Sequence, residues 1–347
     1  MSKIYNKPRC LRRGDTIAVV SLSWGGLGDE ALIHKYHIAK ERLERDFGLR
    51  VKPMPHALAG SDFVYRHPEL RARDLMDAFA DPDVAAVFSA IGGDDTIRIL
   101  PHVDFQVLAD NPKIFMGYSD TTVNHFMMQR AGLVSFYGPS VMCEFGEYGQ
   151  MAPYCEKAVR RALFDGTAPW EIEPSPVWSR DCIAWDEANM QRLHEYLPDT
   201  RGYELLQGSG IVRGRLLGGC IDVFMMAIGT EIWPTPEEWR GAILLIETSE
   251  DKPSPDFVKW TLRNLAAQGI IGNLAGMVVG KPQEETYYDE YKTAIRAALA
   301  EAGREDLPTL YNVNIGHARP IGVLPLGVEY EIDCARRTLT MVEHAVI

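Results

Sequence analysis

In the N-terminal part of the chain, up to about residue 140, short apolar runs alternate with longer segments whose apolar side chains recur every three to four positions. The runs TIAVVSLS (16–23), VAAVFSAIGG (84–93), KIFMGYS (113–119) and LVSFYGP (133–139) read as strands. The segments DEALIHKYHIAKERLERDFG (29–48), RARDLMDAFADP (71–82) and TTVNHFMMQRAG (121–132) read as helices, the last closed by Gly132 at a C-cap place. Strands that alternate with amphipathic helices predict a parallel sheet with helices on its faces.

The pattern breaks at residues 166–210, where proline, tryptophan and charge are dense and no period is sustained. This segment reads as a linker carrying a long loop. Strand-like runs return with GIVRGRLLGG (210–219), GAILLIET (241–248), LAGMVVGKP (274–282), TLYNVNIGH (309–317) and PLGVEYEIDCARRTLTMVE (325–343). Helical patterns PDFVKWTLRNLAAQG (255–269) and YYDEYKTAIRAALAEAG (287–303) lie between them. The chain is therefore expected to hold an N-terminal α/β domain over 1–165, the linker and loop over 166–210, and a second, mixed α/β domain over 211–347.

Composition narrows the classes of function. With 347 residues and 46% of them apolar, two domains can each bury a core. A formal net charge of −12 argues against a nucleic acid or an anionic membrane as partner and leaves a small molecule. The apolar run Ile17–Leu22 is too short for a signal peptide and is interrupted by Ser21, and no run approaches a membrane span. The six cysteines are scattered without a Cys-x-x-Cys pair, as expected of a reduced, cytoplasmic protein. SWGGLGDE (23–30) lacks both the dinucleotide fingerprint and the lysine of a phosphate-binding loop, so neither ATP nor a dinucleotide is expected.

Candidate chemistry sits where apolar runs meet polar residues. Ser119 follows such a run, with Gly117 before it and Thr121 in the place of the second glycine of a nucleophile elbow. It reads either as a nucleophile held at a bend or, with Asp120, as the cap of the following helix. A serine nucleophile needs a base, an orienter for that base and donors for an oxyanion. Glu247 ends GAILLIE, with Glu250 and Asp251 as competitors in the loop beyond, and it reads either as the orienter or as a solvated strand end. His317 ends TLYNVNIGH beside Gly316 and is the best placed of the nine histidines. His34 and His37 fall on a charged helix, His194 in the irregular segment and His344 at the tail, while His125 is expected to point away from the sheet end. The pair Gly92 and Gly93 reads either as a plain turn or as a place where amides turn inward.

AIGGDDT, GYSDTT, GRLLGGCID, LLIETSED and NIGHARP stand in one order over most of the chain. Together they resemble the LD-carboxypeptidase family of serine peptidases, which includes the murein tetrapeptide carboxypeptidases and the microcin C immunity proteins. The resemblance implies a glutamine-amidotransferase-like (flavodoxin-like) N-terminal domain, a smaller C-terminal domain, a site between them and a homodimer. It implies a Ser119–Glu247–His317 triad, an oxyanion hole from the backbone amides of Gly93 and Asp120, and no metal or organic cofactor. Asp120 enters through its amide rather than its carboxylate. In the immunity-protein branch an aromatic side chain of a long inter-domain loop stacks on the nucleotide base of the substrate. Here that loop offers Trp178 and Trp185, either of which could instead anchor it to the core. Lys252 and Asp94 complete the candidate substrate contacts. Cys220 stands where related sequences often show asparagine. Implied substrates are aminoacyl nucleotides, with murein tetrapeptides as the alternative, and a catalytically silent binding protein as a third reading.

Overall fold

The strand Val84–Ser89 is buried along its whole length, which requires cover on both faces of its sheet. It is the middle of a parallel array in the computed structural model, which describes residues 5–347. The strands of this first sheet are β1 (Thr16–Val20), β2 (Arg50–Pro53), β3 (Val84–Ser89), β4 (Ile114–Gly117) and β5 (Ser135–Tyr137). They lie side by side in the order 2-1-3-4-5, the flavodoxin-like winding. In that winding the chain reverses direction between β1 and β3, so the loops after these two strands open a crevice. The strand β2 has no periodic mark of its own, being four residues long with one half-buried face.

Residues 166–210 contain β6 (Trp170–Ile172), β7 (Val177–Trp178), β8 (Leu197–Pro198) and β9 (Glu204–Gln207). Next come β10 (Ile211–Cys220), β11 (Ile243–Glu247), β12 (Gly276–Gly280), β13 (Thr309–Val313), β14 (Leu324–Leu326), β15 (Glu329–Asp333) and β16 (Thr338–Met341). The second sheet runs β6-β16-β15-β10-β11-β12-β13-β9, and only β10 to β13 are mutually parallel. The second sheet has eight strands among the described residues against six in the first. Two of its strands, β6 and β9, come from the segment read as linker, while β14 leaves the second unit and pairs antiparallel with β5.

Strand ends from both sheets converge. The helix Thr121–Arg130 packs on the end of β10, where Thr122 Oγ1 accepts the Cys220 amide at 2.9 Å. This close approach requires Gly219, since a Cβ there would stand 2.5 Å from Thr122 Oγ1 and 2.9 Å from the Tyr137 ring. No helix of the described residues is long and apolar enough to cross a membrane.

Candidate active site

β4 ends at Gly117, and two residues later Ser119 adopts a φ of +64°. The left-handed region costs a residue with a Cβ about 1–2 kcal/mol. Such a cost at a strand-to-helix turn is what presents a side chain above the sheet edge instead of folding it into the helix. Neighbouring glycines make the room. A Cβ on Gly117 would stand 2.8 Å from that of Ser89, and one on Gly92 would stand 2.7 Å from the Cβ of Ser119. Gly93, at φ +140°, lies close against the loop after β1: a Cβ there would stand 2.5 Å from Ser23 Oγ and 3.1 Å from the Trp24 nitrogen.

The capping alternative does not hold: Asp120 occupies the N-cap position but makes no side-chain cap. Its fully buried carboxylate instead accepts Ser23 Oγ at 2.6 Å, the Asp95 amide at 3.0 Å and the Thr96 amide at 2.9 Å. One oxygen of Asp120 thus holds the loops after β1 and β3 against the serine turn. The carboxylate thus has a structural part of its own, beside the oxyanion role expected of the Asp120 amide.

Glu247 is the last residue of β11 and is 1% exposed. Its Oε2 lies 2.8 Å from His317 Nδ1, and its Oε1 accepts the Tyr137 hydroxyl at 2.5 Å. Space for the carboxylate comes from Gly280 and Gly316, where a Cβ would fall 2.6 Å from Glu247 Cβ and 2.2 Å from Glu247 Oε2 respectively. The Tyr137 oxygen also accepts the Ser119 amide at 3.2 Å, so one hydroxyl on β5 links the serine turn to the glutamate. The Tyr118 ring meets the His317 ring edge-on, 5.0 Å between centroids. Ser119, Glu247 and His317 are therefore joined through two tyrosines that no sequence pattern singles out, since each reads as strand core.

The competitor Glu250 also reaches the histidine: its Oε2 lies 3.0 Å from His317 Nε2, although the Glu250 side chain is 62% exposed. Burial disfavours the imidazolium, but the Glu247 and Glu250 carboxylates outweigh it and push His317 up to about 10. Glu250 is held at about 2 by its hydrogen bond to His317, against the effect of burial. Because water screens the exposed Glu250, the buried Glu247 contact is the stronger of the two. Asp251 is exposed.

The substrate candidates separate. Trp178 is 6% exposed and packs between the Lys281 ammonium, 4.7 Å from its ring centroid, and the Arg180 guanidinium at 5.0 Å, so it anchors the loop. Trp185 is half-buried, with Lys35 Nζ 5.1 Å from its ring centroid. Burial pushes Lys35 down to about 8. The loop bearing Trp185 is pinned beside the histidine, because the Ser179 amide donates to the Arg319 carbonyl at 3.0 Å and His194 Nε2 meets Glu147 at 2.9 Å. Lys252 Nζ pairs with Glu284 at 2.7 Å, and Asp94 is exposed next to Gly93. His125 does not point away from the sheet end, since it meets the last residue of β4. It is buried against it, Nε2 at 2.9 Å from the Gly117 carbonyl and Nδ1 at 2.8 Å from Ser135 Oγ, and burial lowers it to about 4.

A strained serine at a strand end, with its neighbour Tyr118 packed on a histidine whose Nδ1 is held by a buried carboxylate, fits the equipment of a hydrolase. Matches to known proteins extend that class to most of the chain. It belongs to the LD-carboxypeptidase family, in the MccF-like branch: residues 17–138 match the LD-carboxypeptidase N-terminal domain and residues 213–332 the C-terminal domain. Among its relatives is the "Putative carboxypeptidase YocD" of Bacillus subtilis (strain 168), 30% identical over 94% of this chain and 96% of the relative. Another is the "Microcin C7 self-immunity protein MccF" of Escherichia coli, 27% identical over 82% of each chain. The MccF-like protein from Streptococcus pneumoniae, solved in complex with AMP, superimposes with a TM-score of 0.87 at 35% identity, covering 95% of this chain and 99% of that one.

Proposed function

We propose that this hydrolase cleaves the amide-type bond between an amino acid and a nucleotide, with Ser119 as nucleophile and His317 as its base. The buried hydrogen bond between Glu247 and His317 Nδ1 is the observation that carries the chemistry. It leaves Nε2 as the nitrogen that takes the serine proton, once Glu250 has moved off it and that nitrogen has lost its own proton. Glu247 then steadies the imidazolium, the amides of Gly93 and Asp120 receive the oxyanion, and water releases the acyl group. The chemistry needs no metal or organic cofactor, and the family resemblance adds a homodimer.

Aminoacyl nucleotides, including processed microcin C and aminoacyl-sulfamoyl adenosines, are favoured over murein peptides by the loop beside His317. Trp185 offers it a half-buried indole suited to a purine, while Lys252 and Asp94 lie near enough in sequence to the triad loops to meet the amino acid. The 35% identical protein that binds AMP supports the same choice. Hydrolysis would serve self-immunity or detoxification. Removal of the terminal D-alanine from an L,D-linked murein tetrapeptide is the second reading, favoured by the family's carboxypeptidase description.

The test offers both substrates to the wild-type chain and to Ser119→Ala. Release of the amino acid from an aminoacyl-sulfamoyl adenosine is expected, falling at least about 10⁴-fold in the variant with unchanged circular dichroism. Release of D-alanine alone would transfer the function to murein. Undiminished turnover by Ser119→Ala would end the nucleophile assignment.

A further inference from the structure

Cys220 closes β10 in the register position directly beside Glu247, the last residue of β11. Its Sγ, a Glu247 carboxylate oxygen and a His317 ring nitrogen all lie within 4.8 Å of one another, so a single point between them is reachable by all three after small shifts. Thiolate, imidazole and carboxylate are the donors of zinc sites, with bonds of about 2.3 Å to sulfur and about 2.0–2.2 Å to nitrogen and oxygen. Three protein ligands leave the fourth position of a tetrahedral set open. Sulfur and nitrogen donors select Zn²⁺ or Cd²⁺ over the hard cations Mg²⁺ and Ca²⁺.

We propose that Cys220, Glu247 and His317 form an inhibitory site for a soft divalent cation. Binding replaces the hydrogen bond between His317 Nδ1 and Glu247 with bonds from both groups to the metal. The Cys220 thiol proton and the Nδ1 proton leave to solvent. An imidazole that binds metal through Nδ1 keeps its remaining proton on Nε2, so it can no longer accept the proton of Ser119. The cation is thus an inhibitor and not a cofactor. The inhibitory consequence rests on the Ser119–Glu247–His317 reading above, whereas binding itself does not.

Binding and inhibition are read separately on the chelator-treated full chain. Titration with CdCl₂ should give an ultraviolet thiolate-to-cadmium band that is lost in Cys220→Ser and in His317→Ala but kept in Cys182→Ser, which removes the exposed cysteine. ZnCl₂ should inhibit hydrolysis, and Cys220→Asn should raise the inhibition constant at least about 10–100-fold, the loss typical of removing even an outer partner of a metal ligand. A band that survives Cys220→Ser, or that survives His317→Ala and so needs the thiol alone, overturns the site. So does equal zinc sensitivity of wild type and Cys220→Asn. A band with the expected losses in a chain that hydrolyses neither substrate supports the cation site and defeats the catalytic reading, so the two failures are distinguishable.

Discussion

Asp120 shows how much one carboxylate oxygen can organise. By gathering Ser23 Oγ and two backbone amides it fixes the loops after β1 and β3, and with them Gly93, against the turn that bears Ser119. Charged acceptors with buried donors are worth more than neutral ones, and their removal orphans the donors. Asp120→Ala should therefore destabilise the protein by about 2–4 kcal/mol, seen in urea as a lower midpoint with an unchanged slope. A change below about 1 kcal/mol would mean that water replaces the carboxylate. The sequence pointed to Asp120 only as a neighbour of Ser119, because its partners lie on loops distant in the chain. Glu247 and His317 were legible for a different reason: each ends an apolar run, so its position at a sheet edge follows from local pattern. Tyr137, Tyr118 and the contact of Glu250 with Nε2 have no such local mark.

At the scale of elements, the strongly periodic segments were legible and the weakly periodic ones were not. Helices Ile33–Arg45, Pro68–Ala80, Pro255–Ala267 and Tyr288–Glu301 fall within or close to their predicted spans because each has its own apolar stripe. The short strands β2, β6 and β9 depend on partners and not on their own pattern; β6 and β9 lie at the two edges of the second sheet. The segment from β7 to β8 divides its two tryptophans by burial, which sequence could not do. Trp185→Ala should raise KM for an aminoacyl nucleotide about tenfold and leave kcat within about twofold, consistent with loss of a single stacking contact. Trp178→Ala should instead lower the melting temperature, as expected when a large buried side chain is removed. Steady-state kinetics and thermal scans on the two variants distinguish these outcomes, and a reversed pattern would exchange their roles.

At the scale of the whole molecule, the two sheets are not separable bodies. β14 crosses from the second unit to the edge of the first, the Cys220 amide is held by Thr122, and Tyr137 donates to Glu247. Each of these links spans both cores, so loosening one unit exposes apolar surface and unpaired groups on the other. Urea unfolding is expected to be one transition. Far-ultraviolet dichroism reports on both sheets, whereas tryptophan fluorescence reports mainly on the second, since six of the seven tryptophans follow residue 165. Coincident curves are expected, and a separate early dichroism step would show that the units unfold independently. The two-unit organisation was legible in the sequence because the irregular segment interrupts the periodicity, but the strand exchange was not, since LPL carries no sign of which sheet it will join.

The crossing of β14 also sets an order of events at the ribosome. β5, which carries Tyr137, leaves the exit tunnel early, yet its partner strand is made only after almost the entire second unit has followed. Until then the nascent first sheet carries an open edge, the kind of surface that invites mispairing or a chaperone. Translation must therefore run nearly to its end before the strand bearing that tyrosine is clamped on both sides, so a chain terminated before Leu324 would leave the Tyr137 strand at an open edge.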